Sequence, residues 1–279
     1  MASFDLPPDA VVGIVAGGGT VPDALRAYLE GHGRTVRTIA LAGEASATAD
    51  ATHPIGDVEG ILRSLRSFGV THAVLVGWVR RRPRLRDGRV GWRTARLLPP
   101  LVRNLARGDD AMLRAAIAAV ESTGVRVVGV HELWPELVAG EGPAGRHAPS
   151  AADEGLIAHG AAIARALGAH DAGQGVVMVG RRAVALEGVE GTDRMLARVA
   201  ELRREGAVRQ GDGVLVKVAK PGQELRTDLP SIGPGTVRAA AEAGLNGIAV
   251  EAGRSLLIER ERTVSLADER GLFVWGFRP

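Results

Sequence analysis

"VVGIVAGGGTVPD", residues 11–23, decides the fold class. Residues 11–16 form a short apolar run rich in β-branched side chains, the composition of a buried strand. Gly17, Gly18 and Gly19 end the run, and Thr20 can then cap a helix with Pro22 and Asp23 in its first turn. A strand that passes through glycines into a helix opens a βαβ unit. The alternation continues with a strand in "TVRTIAL" (35–41), a helix in "VEGILRSLRSFG", a strand in "HAVLVGW", a helix in "DDAMLRAAIAAVESTG" and a strand in "VRVVGV". Strands alternating with helices imply a parallel sheet.

"AGEGPAGRHAPSAADEG" (139–155) is rich in Gly, Pro and Ala, shows no periodicity and reads as an interdomain linker. The second half then gives a helix in "DEGLIAHGAAIARALG", strands in "GVVMVG" and "RAVALEG", a helix in "TDRMLARVAELRR" and a strand in "GVLVKVA". A helix in "PGTVRAAAEAG", strands in "GIAVEAG" and "SLLIER", a helix in "TVSLADERG" and a strand in "LFVWGF" complete it. Its paired strands predict a mixed sheet. The expectation is two α/β domains, 1–138 and 156–279, joined by 139–155.

Composition narrows the function. The 279 residues are 46% hydrophobic and 24% charged, as in a soluble globular protein. The absence of cysteine excludes disulfides, thiolate metal sites and cysteine nucleophiles, and fits a cytoplasmic protein. "MASFDLPPDA" lacks the basic and apolar regions of a signal peptide, and no run approaches the length of a membrane span. The net charge of +3 and the 3% aromatic content argue against nucleic acid as the partner of the whole surface. One segment departs from this balance. Residues 80–103 carry nine arginines against the single acid Asp87, either a solvated loop or a surface for anionic lipid, phosphate or RNA.

The chemistry-bearing residues sit around turns. Of the 35 basic residues only Lys217 and Lys220 are lysine, three apart and shortly before Asp228. An ammonium is a compact point charge suited to a phosphate oxygen. Gly17–Gly19 match neither the dinucleotide nor the P-loop spacing, so they read as a tight turn or a phosphate contact. "EGVEGTD" supplies Glu187, Glu190 and Asp193 between a strand and a helix; with Thr192 as N-cap, Asp193 serves either the helix dipole or a site. Asp228 lies in "RTDLPSIGPGT", a loop stiffened by Pro230 and Pro234. Asp171 and Gln174 in "HDAGQG" precede a strand and either reach a site or make a turn. The seven histidines show no ligand pairing, His131 beside Glu132 being the least ordinary. Acids, lysines and arginines around glycine turns suit a hard cation bridging phosphate oxygens.

The ordered set "GIVAGGGTVP", "RGDDAMLR", "GVHE", "DAGQGVV", "EGTDRML" and "KPGQELRTDLPSIGPGTV" resembles the LpxI family of UDP-2,3-diacylglucosamine pyrophosphatases, from about residue 11 onward. The resemblance implies a Rossmann-like N-terminal domain and a C-terminal α/β domain with a ligand cleft between them. It implies Mg²⁺ (or Mn²⁺)-dependent hydrolysis of UDP-2,3-diacylglucosamine to UMP and 2,3-diacylglucosamine 1-phosphate (lipid X) in lipid A synthesis. It also implies a homodimer acting transiently at the anionic cytoplasmic face of the inner membrane, with no nucleic-acid partner. Asp228, Asp193 and Glu190 are then candidate metal ligands, and Asp228, Asp193, Lys217 and Lys220 the candidate catalytic groups. Gly17, Gly18, Gly19, Thr192, Arg226 and Gln174 are the candidates for holding substrate. The rival reading is a non-catalytic nucleotide-binding regulator that uses the basic segment on RNA or membrane.

Overall fold

A computed structural model describes residues 6–44, 48–79 and 109–278; the basic segment 80–103 lies outside them. The chain divides into two compact units. The described residues up to Pro135 form the N-terminal unit, together with Glu224–Thr227. Glu136–Gln223 and the residues from Asp228 onward form the C-terminal unit.

In the N-terminal unit the strands are β1 (Val11–Ala16), β2 (Thr35–Leu41), β3 (Ala51–His53), β4 (His72–Val76) and β5 (Arg126–Val127). They pair in the order β3-β2-β1-β4-β5, every pairing parallel. This is the half-Rossmann arrangement, in which chain direction and crossover helices bring the strand C-terminal ends to one edge. The helices are α1 (Val21–Gly31), α2 (Val58–Ser67), α3 (Asp109–Glu121) and the single turn α4 (Val130–Leu133). Ile39 and Leu41 of β2 pack with Ile61, Leu62 and Leu65 of α2 and Ile117 and Val120 of α3 in one buried cluster. β3 escapes the sequence pattern because its three residues gain strand geometry only by pairing with β2. "VRVVGV" yields just the two residues of β5, because Gly129 begins α4.

The C-terminal unit holds a six-stranded mixed sheet in the order β6-β13-β11-β9-β7-β8. Its strands are β6 (Gly142–Pro143), β7 (Gly175–Val179), β8 (Arg182–Leu186), β9 (Val214–Lys217), β11 (Gly247–Glu251) and β13 (Phe273–Phe277). β9, β11 and β13 run parallel, while β7 is antiparallel to both β8 and β9. A separate parallel pair joins β10 (Ser231–Ile232) to β12 (Leu256–Leu257). The helices are α5 (Ala151–Ala169), α6 (Gly191–Arg204), α7 (Pro234–Glu242) and α8 (Arg260–Glu269).

Strand alternation explains the layers. Val176 and Met178 of β7 and Val214 and Val216 of β9 pack with Ile157, Ala161 and Ala164 of α5. Their neighbours Val177, Val179 and Leu215 join Met195, Leu196 and Val199 of α6 and Val237 and Ala240 of α7 on the opposite face. The apolar runs are thus strands buried on both faces. The stretch 139–155, expected as a linker, contributes β6 to the sheet edge beside β13 and the Ser150 cap of α5. Asp153 completes that cap: it accepts from the Ser150 N–H and hydroxyl and from Asn246. Burial alone would raise its pKa, but these hydrogen bonds hold it below the ordinary value.

Candidate functional site

Topology gathers one polar edge in the C-terminal unit. Lys217 ends β9, opposite Gly175 at the start of β7, and Leu186 at the end of β8 stands opposite Val176. The segments leaving β8 and β9, the segment entering β7 and the first turn of α6 therefore meet at the same edge. They carry Gln174, Glu187, Thr192, Lys217, the stretch from Val218 to Gln223, and Asp228.

The loop after β9 is tied down along its length. The Val218 N–H donates to the Gln174 carbonyl at 3.1 Å, and the Ala219 N–H to the buried Glu251 carboxylate at 3.0 Å. The Lys220 ammonium pairs with Asp171 at 2.7 Å, and Asp171 itself adopts the left-handed conformation at φ 53. Gln223, buried, accepts from the Lys220 N–H at 2.7 Å and donates its amide to Asp228 and, at 3.4 Å, to Gln174. Beyond Asp228, the Pro230 carbonyl accepts from the Leu256 N–H at 2.8 Å. Asp228 is thus a carboxylate on a loop whose backbone is held on both sides.

Lys217 is buried at the root of the loop. Its ammonium donates to the Thr192 hydroxyl at 2.7 Å and to the Ser231 carbonyl at 3.3 Å, with Glu187 at 3.8 Å. The Thr192 hydroxyl in turn donates to Glu187. Thr192 is not the N-cap expected of it. α6 starts at Gly191 with Glu190 in the cap position, which leaves the threonine hydroxyl free to join the lysine and glutamate.

Hydrogen bonds join Thr192, Lys217 and Glu187 in one group and Gln174, Gln223 and Asp228 in another, with the Lys220 N–H on Gln223, and neither group brings in Glu190 or Asp193 as a ligand. Glu190 pairs with Arg198 at 3.0 Å, and Asp193 is exposed in the first turn of α6. Among the described residues no group of three or more histidine or acidic side chains converges to hold a metal ion.

The other candidates lie in the N-terminal unit. Gly17–Gly19 do permit a close approach, and the approaching group is the chain itself. Gly18 and Trp78 exchange backbone hydrogen bonds of 2.8 and 3.0 Å as an isolated antiparallel bridge. A Cβ on Gly17 would lie 2.6 Å from the Trp78 carbonyl oxygen, and one on Gly18 2.5 Å from the indole Nε1. Arg226 is held by two carboxylates, Glu224 and Glu121, each at 2.9 Å. Its hydrogen bond to Glu224 raises the guanidinium pKa and lowers that of Glu224. His131 has a buried Nδ1 without a hydrogen-bond partner, and burial lowers its pKa against the opposing pull of Glu132.

Sequence reasoning misses Gln223 as the residue that orients Asp228, although it stands inside the most distinctive block, "KPGQELRTD". A neutral amide carries no charge pattern to find. It also ranks Glu190 and Asp193 above Glu187, the acid of that trio that faces the lysine.

Comparison with known proteins bears on the whole chain. The description "LpxI N-terminal domain" matches residues 11–137 and "LpxI C-terminal domain" residues 140–275. A curated relative, the UDP-2,3-diacylglucosamine pyrophosphatase LpxI of Caulobacter vibrioides, is 37% identical over 274 residues, covering 96% of this chain and 98% of its own. Among solved structures, CobK precorrin-6A reductase is 16% identical with a TM-score of 0.31, over 94% of this chain and 98% of that one. The UDP-glucose 4-epimerase of Thermus thermophilus, in complex with NAD, is 13% identical with a TM-score of 0.31, over 96% and 86%. Neither of those two loose likenesses contributes to the functional reading. The two domain matches, in chain order and together spanning nearly all of the sequence, show that this chain belongs to the LpxI family.

Proposed function

We propose that this protein is a hydrolase that cleaves the pyrophosphate of UDP-2,3-diacylglucosamine, releasing UMP and 2,3-diacylglucosamine 1-phosphate, as a step of lipid A synthesis. The observation that carries the reading is the near-full-length 37% identity to a relative named for that activity. The polar edge of the C-terminal unit is chemically suited to it. Hydrolysis of a phosphorus anhydride needs charge neutralised on the diphosphate oxygens and a water molecule held in line with the bond that breaks. Asp228 is the group for the water: an oriented carboxylate, its position set by Gln223, that accepts a proton as the water attacks. Lys217 is the first group for the diphosphate, and Lys220 would join it by exchanging Asp171 for a phosphate oxygen.

A divalent cation belongs to the same reading. Mg²⁺ is commonly held by one or two carboxylates together with substrate phosphates, so Asp228 alone on the protein side is compatible with it and a three-ligand cage is not required. When bound, the ion would withdraw charge from the phosphate oxygens. The protein acts, on this reading, at the cytoplasmic face of the inner membrane and as a homodimer. Incubation with UDP-2,3-diacylglucosamine and Mg²⁺ should release UMP, and excess EDTA should abolish release. Absence of UMP from folded protein overturns the activity; undiminished release in EDTA overturns the cation requirement alone.

A further inference from the structure

Glu187, Thr192 and Lys217 form a buried charged network that is incompletely satisfied. The side chains of Lys217 and Glu187 are 5% and 9% exposed. An ammonium has three N–H donors. Two are used, on Thr192 and on the Ser231 carbonyl, and the 3.8 Å separation from Glu187 is too long for a third hydrogen bond. On the other side, Glu187 Oε2 is buried and accepts no hydrogen bond. Burying an ion pair seldom adds stability over an apolar pair of the same volume, and a half-satisfied polar network is worse than none. A purely structural pair would be expected to close on itself, and this one does not.

The surroundings are cut to fit the carboxylate. The Glu187 N–H donates to the Gly175 carbonyl at 2.9 Å, and a Cβ on Gly175 would lie 2.7 Å from Glu187 Oε2. The "GQG" at 173–175 therefore leaves room for this side chain as well as presenting Gln174. Thr192 has one hydroxyl proton, and that proton is committed to Glu187. The hydroxyl therefore turns a lone pair toward Lys217, whose ammonium can only donate.

We propose that Glu187 is a positioning residue: acting through Thr192, it fixes the Lys217 ammonium so that its remaining N–H is left for an anionic oxygen of the substrate diphosphate. The proposal deepens the hydrolase reading and rests on it for the identity of that oxygen. Glu187 itself touches no reacting atom. It orients the hydroxyl that orients the lysine, and its negative charge keeps the ammonium in place while no substrate is bound.

The scarcity of lysine makes this testable. With two lysines in the chain, ¹⁵N-lysine labelling leaves two side-chain ammonium signals, which Lys220→Arg assigns. In the wild type, the Lys217 signal should persist through slow proton exchange and should move when inorganic diphosphate is added. In Glu187→Gln, which keeps the shape and removes the charge, the signal should broaden or shift, and the response to diphosphate should be lost. Turnover of UDP-2,3-diacylglucosamine should fall about 10–100-fold in kcat with KM within about twofold, the pattern of an interaction needed chiefly in the transition state. Thr192→Val should reproduce the defect, and Thr192→Ser should recover most of what Thr192→Val loses. An unchanged Lys217 signal in Glu187→Gln, or normal kcat despite a changed signal, overturns the proposal. So does a loss of activity that a lowered melting temperature fully accounts for. If wild-type protein releases no UMP yet its Lys217 signal responds to diphosphate in a Glu187-dependent way, the positioning stands and the choice of substrate falls.

Discussion

At the scale of single residues, Asp228 is distinguished by how little of the fold depends on its carboxylate. It caps no helix, since α7 begins at Pro234 with Gly233 before it, and apart from the hydrogen bond it accepts from Gln223 the loop around it is fastened by other bonds. Asp228→Ala should therefore lower UMP release by about 10²–10⁴-fold, the usual contribution of a general acid or base, while the melting temperature moves by no more than a few degrees. With the divalent cation removed, substrate affinity should hold or tighten, because a negative charge that would repel the diphosphate is gone. Parallel measurements of release, affinity and melting check this, and an active variant would remove Asp228 from the mechanism. Arg226 shows the reverse case. Its guanidinium has two carboxylates of its own, so a basic residue beside Asp228 in sequence is here part of a structural ion-pair cluster. Nothing in the sequence separates these two roles, because a cation in a loop looks the same whether its partner is a substrate or a glutamate elsewhere in the chain.

At the scale of elements, the turn after β1 shows how a glycine run can be correctly found and differently used. Gly17–Gly19 lie between a strand and a helix, as the sequence predicts, but the space their missing side chains leave is taken by Gly77 and Trp78. The first two positions should then respond differently to alanine. At Gly17 the new methyl group meets the Trp78 carbonyl and the Gly77 backbone, which cannot yield without breaking the Gly18–Trp78 bridge. At Gly18 it meets the edge of an indole that is 43% exposed, a side chain rather than backbone. Gly17→Ala should cost about 2–3 kcal/mol and Gly18→Ala about 1 kcal/mol in urea unfolding. Adding Trp78→Ala should restore much of the loss at Gly18 and little of that at Gly17. Equal costs, or equal rescue, would mean that the bridge does not order this turn.

At the scale of the whole molecule, charge is distributed unevenly. The net charge is +3, yet nine arginines fall within 80–103. Among the described residues no helix is long and apolar enough to cross a membrane. A substrate with two acyl chains would have to be met at a bilayer surface, and basic residues near an anionic surface contribute on the order of 1 kcal/mol each, screened by salt. Replacing Arg81, Arg84 and Arg86 with serine should weaken binding to vesicles rich in anionic lipid, most strongly at low salt. Hydrolysis of detergent-dispersed substrate should remain nearly intact. Unchanged vesicle sedimentation would leave the segment as a solvated one.

The sequence by itself determined the two α/β layouts, because fully buried strands need continuous apolar runs and those runs, punctuated by glycine and proline, are visible without a structure. It also determined the family, because six ordered motifs spread along the chain are improbable together. It placed Lys217, Lys220, Thr192, Gln174 and Asp228 among the candidates by residue type. Only the tertiary structure decided what each of them touches. Antiparallel pairing of β7 with β8 and β9 brings residues from 174, 187 and 217 to one edge, and pairing partners so far apart in sequence leave no local trace. The same pairing buries Lys217 against Glu187 and leaves that network one donor and one acceptor short. Whether a charge is solvated, spent on a neighbour or held ready depends on what surrounds it, and those surroundings exist only once the sheet has formed.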